Sequence, residues 1–169
     1  MPTNLEIKAR TASLHATDEI ARRIGARYEY EMAQVDTYFD ARNGRLKMRE
    51  VDGARFELIG YMRGEQTERR VSEFDVLGLG AAEPLKSILS GALGVRGVVR
   101  KRRKLYRYHS TRIHADEVDG LGAFIEFETE VTGSVDEARE ELNSLIRLFR
   151  IEDGDFLKVS YIDLLLTKR

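Results

Sequence analysis

The chain of 169 residues has no cysteine, no tryptophan and two prolines. Without cysteine there can be no disulfide and no thiolate chemistry, so any metal must be held by oxygen or histidine ligands. The three histidines, His15, His109 and His114, share no motif, and we interpret them as structural or surface residues. Pro2 and Pro84 leave long stretches of chain free to form strands.

The sequence also lacks long apolar runs and an excess of one charge. No run approaches the roughly 20 apolar residues of a membrane span, and the N-terminus has no signal-peptide core, so we expect a cytoplasmic protein. Charged residues make up 34% of the chain, yet 28 Lys+Arg against 29 Asp+Glu give a net charge of −1. A nucleic-acid or acidic-membrane binder usually has a basic excess, so neither partner is predicted.

The apolar pattern predicts one domain over residues 1–169, with about eight strands and three or four helices. Strands are predicted at residues 3–11, 26–39, 68–77, 97–108, 111–118 and 123–131, and after the Asn43-Gly44 and Asp52-Gly53 turns. Helices are predicted at residues 13–26, 84–93, 135–150 and 161–166, with Ser134 and Glu137 forming a capping box. This hairpin-rich order is typical of an antiparallel α+β domain.

Charge is segregated among the predicted strands. One alternating strand carries Glu126, Glu128 and Glu130, whereas another carries Arg45, Lys47 and Arg49. Alternation by itself commonly means a sheet with one solvated face, and that interpretation stays open here. If the sheet closes, the same side chains line an interior whose charges need a ligand of matching charge. Bases of this kind bind phosphate oxygens, and clustered carboxylates bind a hard cation.

Six segments follow one another along nearly the whole chain: Asn4-Leu5-Glu6-Ile7-Lys8, Gln34 to Phe39, Leu46 to Arg49, Lys101 to Tyr106, Asp116 to Glu128, and Ser160 to Leu165. In this order they resemble the CYTH, or triphosphate tunnel metalloenzyme, superfamily and its class IV adenylyl cyclase-like branch. The resemblance implies a closed, antiparallel eight-stranded β-tunnel with a charged interior and helices packed outside. It departs from the family pattern at Asn4, where the family has glutamate, and at Tyr61, where it has lysine.

The resemblance also implies roles for individual residues. Candidate metal ligands for Mg²⁺ or Mn²⁺ are Glu6, Asp116, Glu126 and Glu128. Candidate triphosphate ligands are Lys47, Arg49, Arg70, Lys101 and Arg103. Candidate catalytic residues are Lys8, as general base or phosphate ligand, Arg63, in partial place of the missing lysine, and Tyr161.

The function predicted first is metal-dependent adenylyl cyclisation, which converts ATP to cyclic AMP and pyrophosphate. One alternative is hydrolysis of inorganic or thiamine triphosphate on the same fold. Another is a catalytically weak module that binds nucleotide or polyphosphate, favoured by Asn4 and Tyr61. The partner is in each case a nucleoside or inorganic triphosphate, and the oligomeric state stays open between monomer and homodimer.

Overall fold

The computed structural model describes residues 4–62 and 73–168. These residues form eight β-strands and four α-helices, together with a short 3-10 turn at Asp153–Asp155. The elements are β1 (Asn4–Arg10), α1 (Leu14–Arg23), β2 (Arg27–Phe39), β3 (Arg45–Val51), β4 (Arg55–Met62), β5 (Glu73–Leu79), α2 (Leu85–Leu93), β6 (Val95–Tyr108), β7 (Thr111–Val118), β8 (Gly122–Glu130), α3 (Val135–Leu148) and α4 (Tyr161–Thr167). In this part of the chain, no helix is both long enough and apolar enough to cross a membrane.

The local signals of the sequence account for most of these elements. Gly44, Asp52 and Gly53 have φ values of 66°, 52° and 65°, as expected of tight hairpin turns. Ser134 and Glu137 exchange the two hydrogen bonds of a capping box at the start of α3. The strand predicted at residues 68–77 is observed as β5, which begins at Glu73; residues 68–72 lie outside the described residues.

All strands belong to one antiparallel sheet with the order β1-β8-β7-β6-β2-β3-β4-β5. The α+β class is therefore confirmed. Among the described residues, no ladder joins the two outer strands, β1 and β5, so the predicted closure into a tunnel is not confirmed. Alternation is the same in an open and in a closed sheet, and closure depends on strand tilt and stagger, which the pattern does not encode.

The ladders place the charged side chains on one face of the sheet, here called the charged face. Residues directly opposite each other in an antiparallel pair point to the same side. Lys8 lies opposite Glu126, which lies opposite His114. Gln34 lies opposite Lys101, and two residues further along the same strand Asp36 lies opposite Arg49. Acids and bases of separate strands thus share one side, as predicted.

The other face carries the apolar core and three of the helices. Over β1, β8 and β7 the core contains residues of α1 and α3, including the fully buried Leu142 and Leu145. Over β2, β3 and β4 a second cluster joins Phe39 and Met48 to Leu85 and Leu89 of α2. These three helices lie on the apolar side and therefore do not account for burial on the charged face.

Helix α4 contradicts the prediction that the helices pack outside. Its residues Tyr161 and Ile162 pack against Val99, Val118 and Phe124, which belong to the charged face by their register. At one end of the strands this face is apolar, and a terminal helix can bury its own apolar residues there. The helix covers that end of the charged face.

Gly97 allows this packing. A Cβ atom at Gly97 would lie 2.5 Å from Cδ1 of Ile162, closer than such atoms approach. We expect Gly97→Ala to lower the free energy of unfolding by about 1–3 kcal/mol, because α4 must shift or Ile162 must rotate. Urea denaturation measures this change.

The matched control is Gly78→Ala in β5, where no described atom lies within 4 Å of the added methyl group. Ile162→Val removes the clashing Cδ1 atom, so the double variant with Gly97→Ala should lose less stability than the sum of the single variants. Additive losses would contradict the contact.

Candidate functional site

The charged face holds several buried side chains that can carry a charge. Six of them are at most 9% exposed: Asp36, Lys47, Lys101, Arg103, Asp116 and Glu126. A buried charge is costly unless it is paired and hydrogen-bonded. The pairs that form show how the face is organised.

The first group lies on β2 and β3 around Asp36. Lys47 Nζ donates to Asp36 Oδ2 at 2.8 Å, and Arg49 donates to both oxygens, at 2.8 and 2.9 Å. Burial acts to raise the pKa of Asp36, but Lys47 and Arg49 outweigh it and hold this pKa well below its usual range. Asp36 therefore stays ionised and orients two predicted triphosphate ligands.

The second group lies on β6, β7 and α4 around Asp116. Arg103 donates to both oxygens of Asp116 at 2.7 Å, and the Tyr161 hydroxyl donates to Oδ2 at 2.8 Å. Both oxygens of Asp116 are thus hydrogen-bonded within the protein. The structure places this residue as the partner of Arg103 and Tyr161, while its predicted role as a metal ligand stays a prediction.

Lys101 lies beside this group with a less complete pairing. Its Nζ is 3.8 Å from Asp116 Oδ2. Burial, followed by the neighbouring positive charge of Arg103, lowers the pKa of Lys101 to about 7. Lys101 is therefore a cation that an incoming anion would stabilise.

The third group is acidic and lies on β1, β7 and β8. One ligand atom each from His114, Glu126 and Glu128 can be chosen so that all three lie within 4.8 Å of one another. Glu6 lies opposite Glu128 in the β1–β8 ladder and so shares this face. Lys8 Nζ is 3.2 Å from Glu126 Oε2, and Arg112 Nη2 is 2.7 Å from Glu128 Oε2.

Tyr161 connects the second and third groups. Lys8 Nζ lies 4.1 Å from the centre of its ring, and Lys101 Nζ lies 5.3 Å from it. Burial and the nearby Asp116 raise the pKa of Tyr161 well above its usual value, so the phenol stays protonated and donates. The predicted catalytic residues Lys8 and Tyr161 are thus adjacent, although their catalytic roles stay predictions.

Two predicted residues, Arg63 and Arg70, lie outside the described residues. Tyr61, at the position of the family lysine, faces the charged face opposite Arg45, and Lys47 Nζ is 6.0 Å from its ring centre. A neutral aromatic ring therefore occupies the place of a cation.

Sequence reasoning gave no role to Asp36, Arg45 or His114. The sequence contains a clue to two of them. Asp36 lies in the Gln34 to Phe39 segment of the resemblance, and His114 is two residues from the candidate Asp116, so it faces the same side of its strand. Because the histidines share no motif, that shared side by itself assigns His114 no role. Arg45 lies on a basic strand that the sequence predicts, but its partners Ser160 and Asp163 are 115 and 118 residues away in sequence.

The chain belongs to the CYTH domain family, whose family model matches residues 3–161. A protein of Methanocaldococcus jannaschii named "Putative adenylate cyclase" is 25% identical over 171 residues, which cover 95% of this chain and 97% of that protein.

The fold is similar to two solved structures. A Pyrococcus horikoshii protein has a TM-score of 0.85 at 19% identity and covers 95% of this chain and 98% of its own. A Hippeastrum protein described as a "Putative adenylyl cyclase" with "a dominant triphophatase activity" has a TM-score of 0.72 at 17% identity, covering 98% and 96%.

A charged anchor fixes α4 over the end of the charged face. Arg45 Nη2 donates to both oxygens of Asp163 at 2.8 Å, and Arg45 Nη1 donates to Ser160 Oγ at 2.6 Å. Burial acts to raise the pKa of Asp163, but the hydrogen bonds from Arg45 and Ser160 outweigh it, and the net pKa lies below the ordinary value.

We expect Asp163→Asn to lower the free energy of unfolding by about 1.5–3 kcal/mol at pH 7. Because the folded pKa is lowered, this stabilisation is present above the ordinary carboxyl pKa of about 4 and declines as pH falls below it. In urea denaturation, the difference in free energy of unfolding between variant and wild type should become smaller from pH 7 to pH 3. Asp153→Asn, at an exposed acid, serves as control; a gap independent of pH would contradict the anchor.

Proposed function

We propose that the chain is a divalent-metal-dependent enzyme that binds a triphosphate on the charged face and breaks one of its phosphoanhydride bonds. The observation that carries this proposal is a cation-rich region next to a pair of carboxylates on that face. Lys47 and Arg49 of β3 lie around Asp36, and Arg103 of β6 bonds both Asp116 and Glu126 of β8. A triphosphate with its cation is a ligand that matches both regions.

The cations are arranged to take a second set of oxygens. The hydrogen bonds that Arg103 gives to Asp116 and Glu126 use three of its five N–H donors. Within the described residues, the pair on Nη1 is left for a phosphate oxygen. The carboxylates Asp36 and Asp116 hold the guanidinium groups of Arg49 and Arg103 in place before the ligand arrives, which lowers the cost of ordering them on binding.

The acidic group fits a divalent cation. Carboxylate oxygens suit Mg²⁺ and Mn²⁺, and Glu126 and Glu128, with Glu6 opposite, supply them. A bound cation would supply charge neutralisation to the phosphate oxygens as the bond breaks. The protein's own residues bind the remaining phosphate charge and hold the substrate in line for attack.

Two nucleophiles are compatible with this site. In the first, the 3′-hydroxyl of ATP attacks the α-phosphorus and gives its proton to a base, for which Lys8 is the candidate. Cyclic AMP forms as pyrophosphate leaves with the electrons of the broken P–O bond. This reaction is proposed first, from the motifs of the adenylyl cyclase-like branch. In the second, water attacks the terminal phosphorus of a triphosphate and the P–O bond to the bridging oxygen breaks, so that orthophosphate forms and the diphosphate leaves with the bonding electrons. A triphosphatase activity named for the Hippeastrum protein favours testing this reaction.

The direct test is a product analysis with the purified chain, Mg²⁺ or Mn²⁺, and a panel of ATP, inorganic triphosphate and thiamine triphosphate. Cyclic AMP with pyrophosphate would support cyclisation, and orthophosphate without cyclic product would support hydrolysis. If a triphosphate raised the melting temperature and was not turned over, the chain would be a binding module and not an enzyme. If Asn4→Glu then restored turnover, the missing carboxylate would be the cause.

A second prediction concerns Lys101 as a triphosphate ligand. We expect Lys101→Gln to weaken triphosphate binding at pH 6 by about 10–100-fold, the loss of one charge-assisted hydrogen bond. The change should preserve the fold, because Arg103 and Tyr161 still bond Asp116. Arg102→Gln is the matched control, since Arg102 is the next residue of β6 but points to the other side, where it pairs with Glu31.

The same residue gives a pH dependence with a definite sign. The charged groups around Lys101 are Arg103, Asp116, Asp36 and Arg49. Its Nζ also lies 5.3 Å from the centre of the Tyr161 ring. The pKa of Lys101 is lowered from 10.5 to about 7. Below pH 7 the charged lysine destabilises the folded state, and the free energy of unfolding of wild type rises as the pH increases from about 7 to 10.5.

Lys101→Gln should therefore exceed wild type in stability at pH 6, with the advantage declining above pH 7. Wild-type affinity for triphosphate should fall through pH 7 more steeply than that of the variant. Isothermal titration and urea denaturation at matched pH measure both. If affinity and stability depended on pH in the same way in both proteins, Lys101 would not be a triphosphate ligand.

A further inference from the structure

His114 is a buried side chain on the charged face that the proposed reaction leaves without a role. It is 6% exposed and lies on β7 between Leu105 of β6 and Glu126 of β8. Neither of its ring nitrogens has a hydrogen-bond partner among the described residues. Glu128 Oε2 is 3.9 Å from Nε2 of the ring.

Two unpaired nitrogens in a buried ring need an explanation. A buried polar group without a partner is destabilising, and native proteins contain few of them. Leu105 is the ladder neighbour on one side, so a purely structural role would be served at lower cost by an apolar residue. The nitrogens of His114 are thus better explained by a ligand that they bind.

The neighbouring side chains favour a cation as that ligand. One ligand atom each of His114, Glu126 and Glu128 lies within 4.8 Å of the others. Two atoms that each bind one ion at about 2.1 Å are at most about 4.2 Å apart, so small rotations would bring the three together. The contacts from Lys8 and Arg103 to Glu126, and from Arg112 to Glu128, fall on Oε2 of each carboxylate.

We propose that His114 is a nitrogen ligand of the divalent cation held by Glu126 and Glu128, and that the site consequently prefers a transition ion such as Mn²⁺ or Co²⁺ to Mg²⁺. Imidazole binds first-row transition ions well, whereas Mg²⁺ prefers oxygen ligands and retains its water. This inference rests on the proposed function insofar as both place a cation at the same carboxylates.

The first experiment is pulsed EPR of the purified full chain loaded with Mn²⁺ alone, without a triphosphate. Nitrogen-14 modulation of the Mn²⁺ signal is expected in wild type and should be absent in His114→Gln. His15→Gln, which changes an exposed histidine, should retain it. Wild-type protein that binds Mn²⁺ without nitrogen modulation would overturn the proposal, and this result does not depend on any variant folding.

The second experiment is isothermal titration with Co²⁺ and with Mg²⁺. His114→Gln replaces a nitrogen donor by an amide oxygen, so Co²⁺ affinity should fall by about tenfold or more, whereas Mg²⁺ affinity should change little. Equal losses for both ions, or none for Co²⁺, would contradict selection by His114.

The inference and the proposed function can fail separately. Nitrogen coordination of Mn²⁺ in a chain that turns over no triphosphate would support the inference and reject the enzyme. Turnover of a triphosphate by wild type, with no nitrogen coordination and unchanged ion preference in His114→Gln, would support the enzyme and reject the inference.

Discussion

The structure depends on the pairing of charges that the sheet removes from water. Asp116 is fully buried and Arg103 nearly so, and each is tolerable because the other supplies two hydrogen bonds at 2.7 Å. Removing Arg103 would leave the fully buried Asp116 without its two shortest hydrogen bonds, which costs about 3–5 kcal/mol. The same constraint governs Asp36 with Lys47 and Arg49. These pairs fix the directions of the side chains on the charged face before any ligand is present.

The pairing is incomplete in two places, and both are informative. Lys101 stands 3.8 Å from its nearest carboxylate oxygen, and burial with Arg103 lowers its pKa to about 7. His114 has no hydrogen-bond partner in the described ranges 4–62 and 73–168. In the part of the chain that the structure describes, Lys101 has no carboxylate within hydrogen-bond distance, and the two ring nitrogens of His114 are unbonded beside two carboxylates. An anion would pair with Lys101, and a divalent cation would bind His114 and its neighbouring carboxylates. A triphosphate with its metal ion supplies the two together.

The apolar architecture supports the charged face from outside and from one end. Helices α1, α2 and α3 cover the apolar side of the sheet, so its charged side can be used for binding. Helix α4 instead covers one end of the charged face, where Gly97 gives it room and Arg45 holds Asp163. This arrangement puts the Tyr161 hydroxyl on Asp116, next to Lys8 and Lys101. A terminal segment thereby becomes part of the site.

The sequence by itself determined the strands, the hairpin turns and the side of each strand that a residue occupies, because period-two alternation and turn residues are local properties. It therefore predicted that Glu126, Arg49 and Lys101 share a face. Tertiary structure alone decided which charged groups pair. It bonds Asp116 to Arg103, lowers the pKa of Lys101 to about 7 and places His114 beside Glu128. It also places α4 on the charged side of the sheet. Those outcomes depend on register, curvature and desolvation, which arise between segments far apart in the chain.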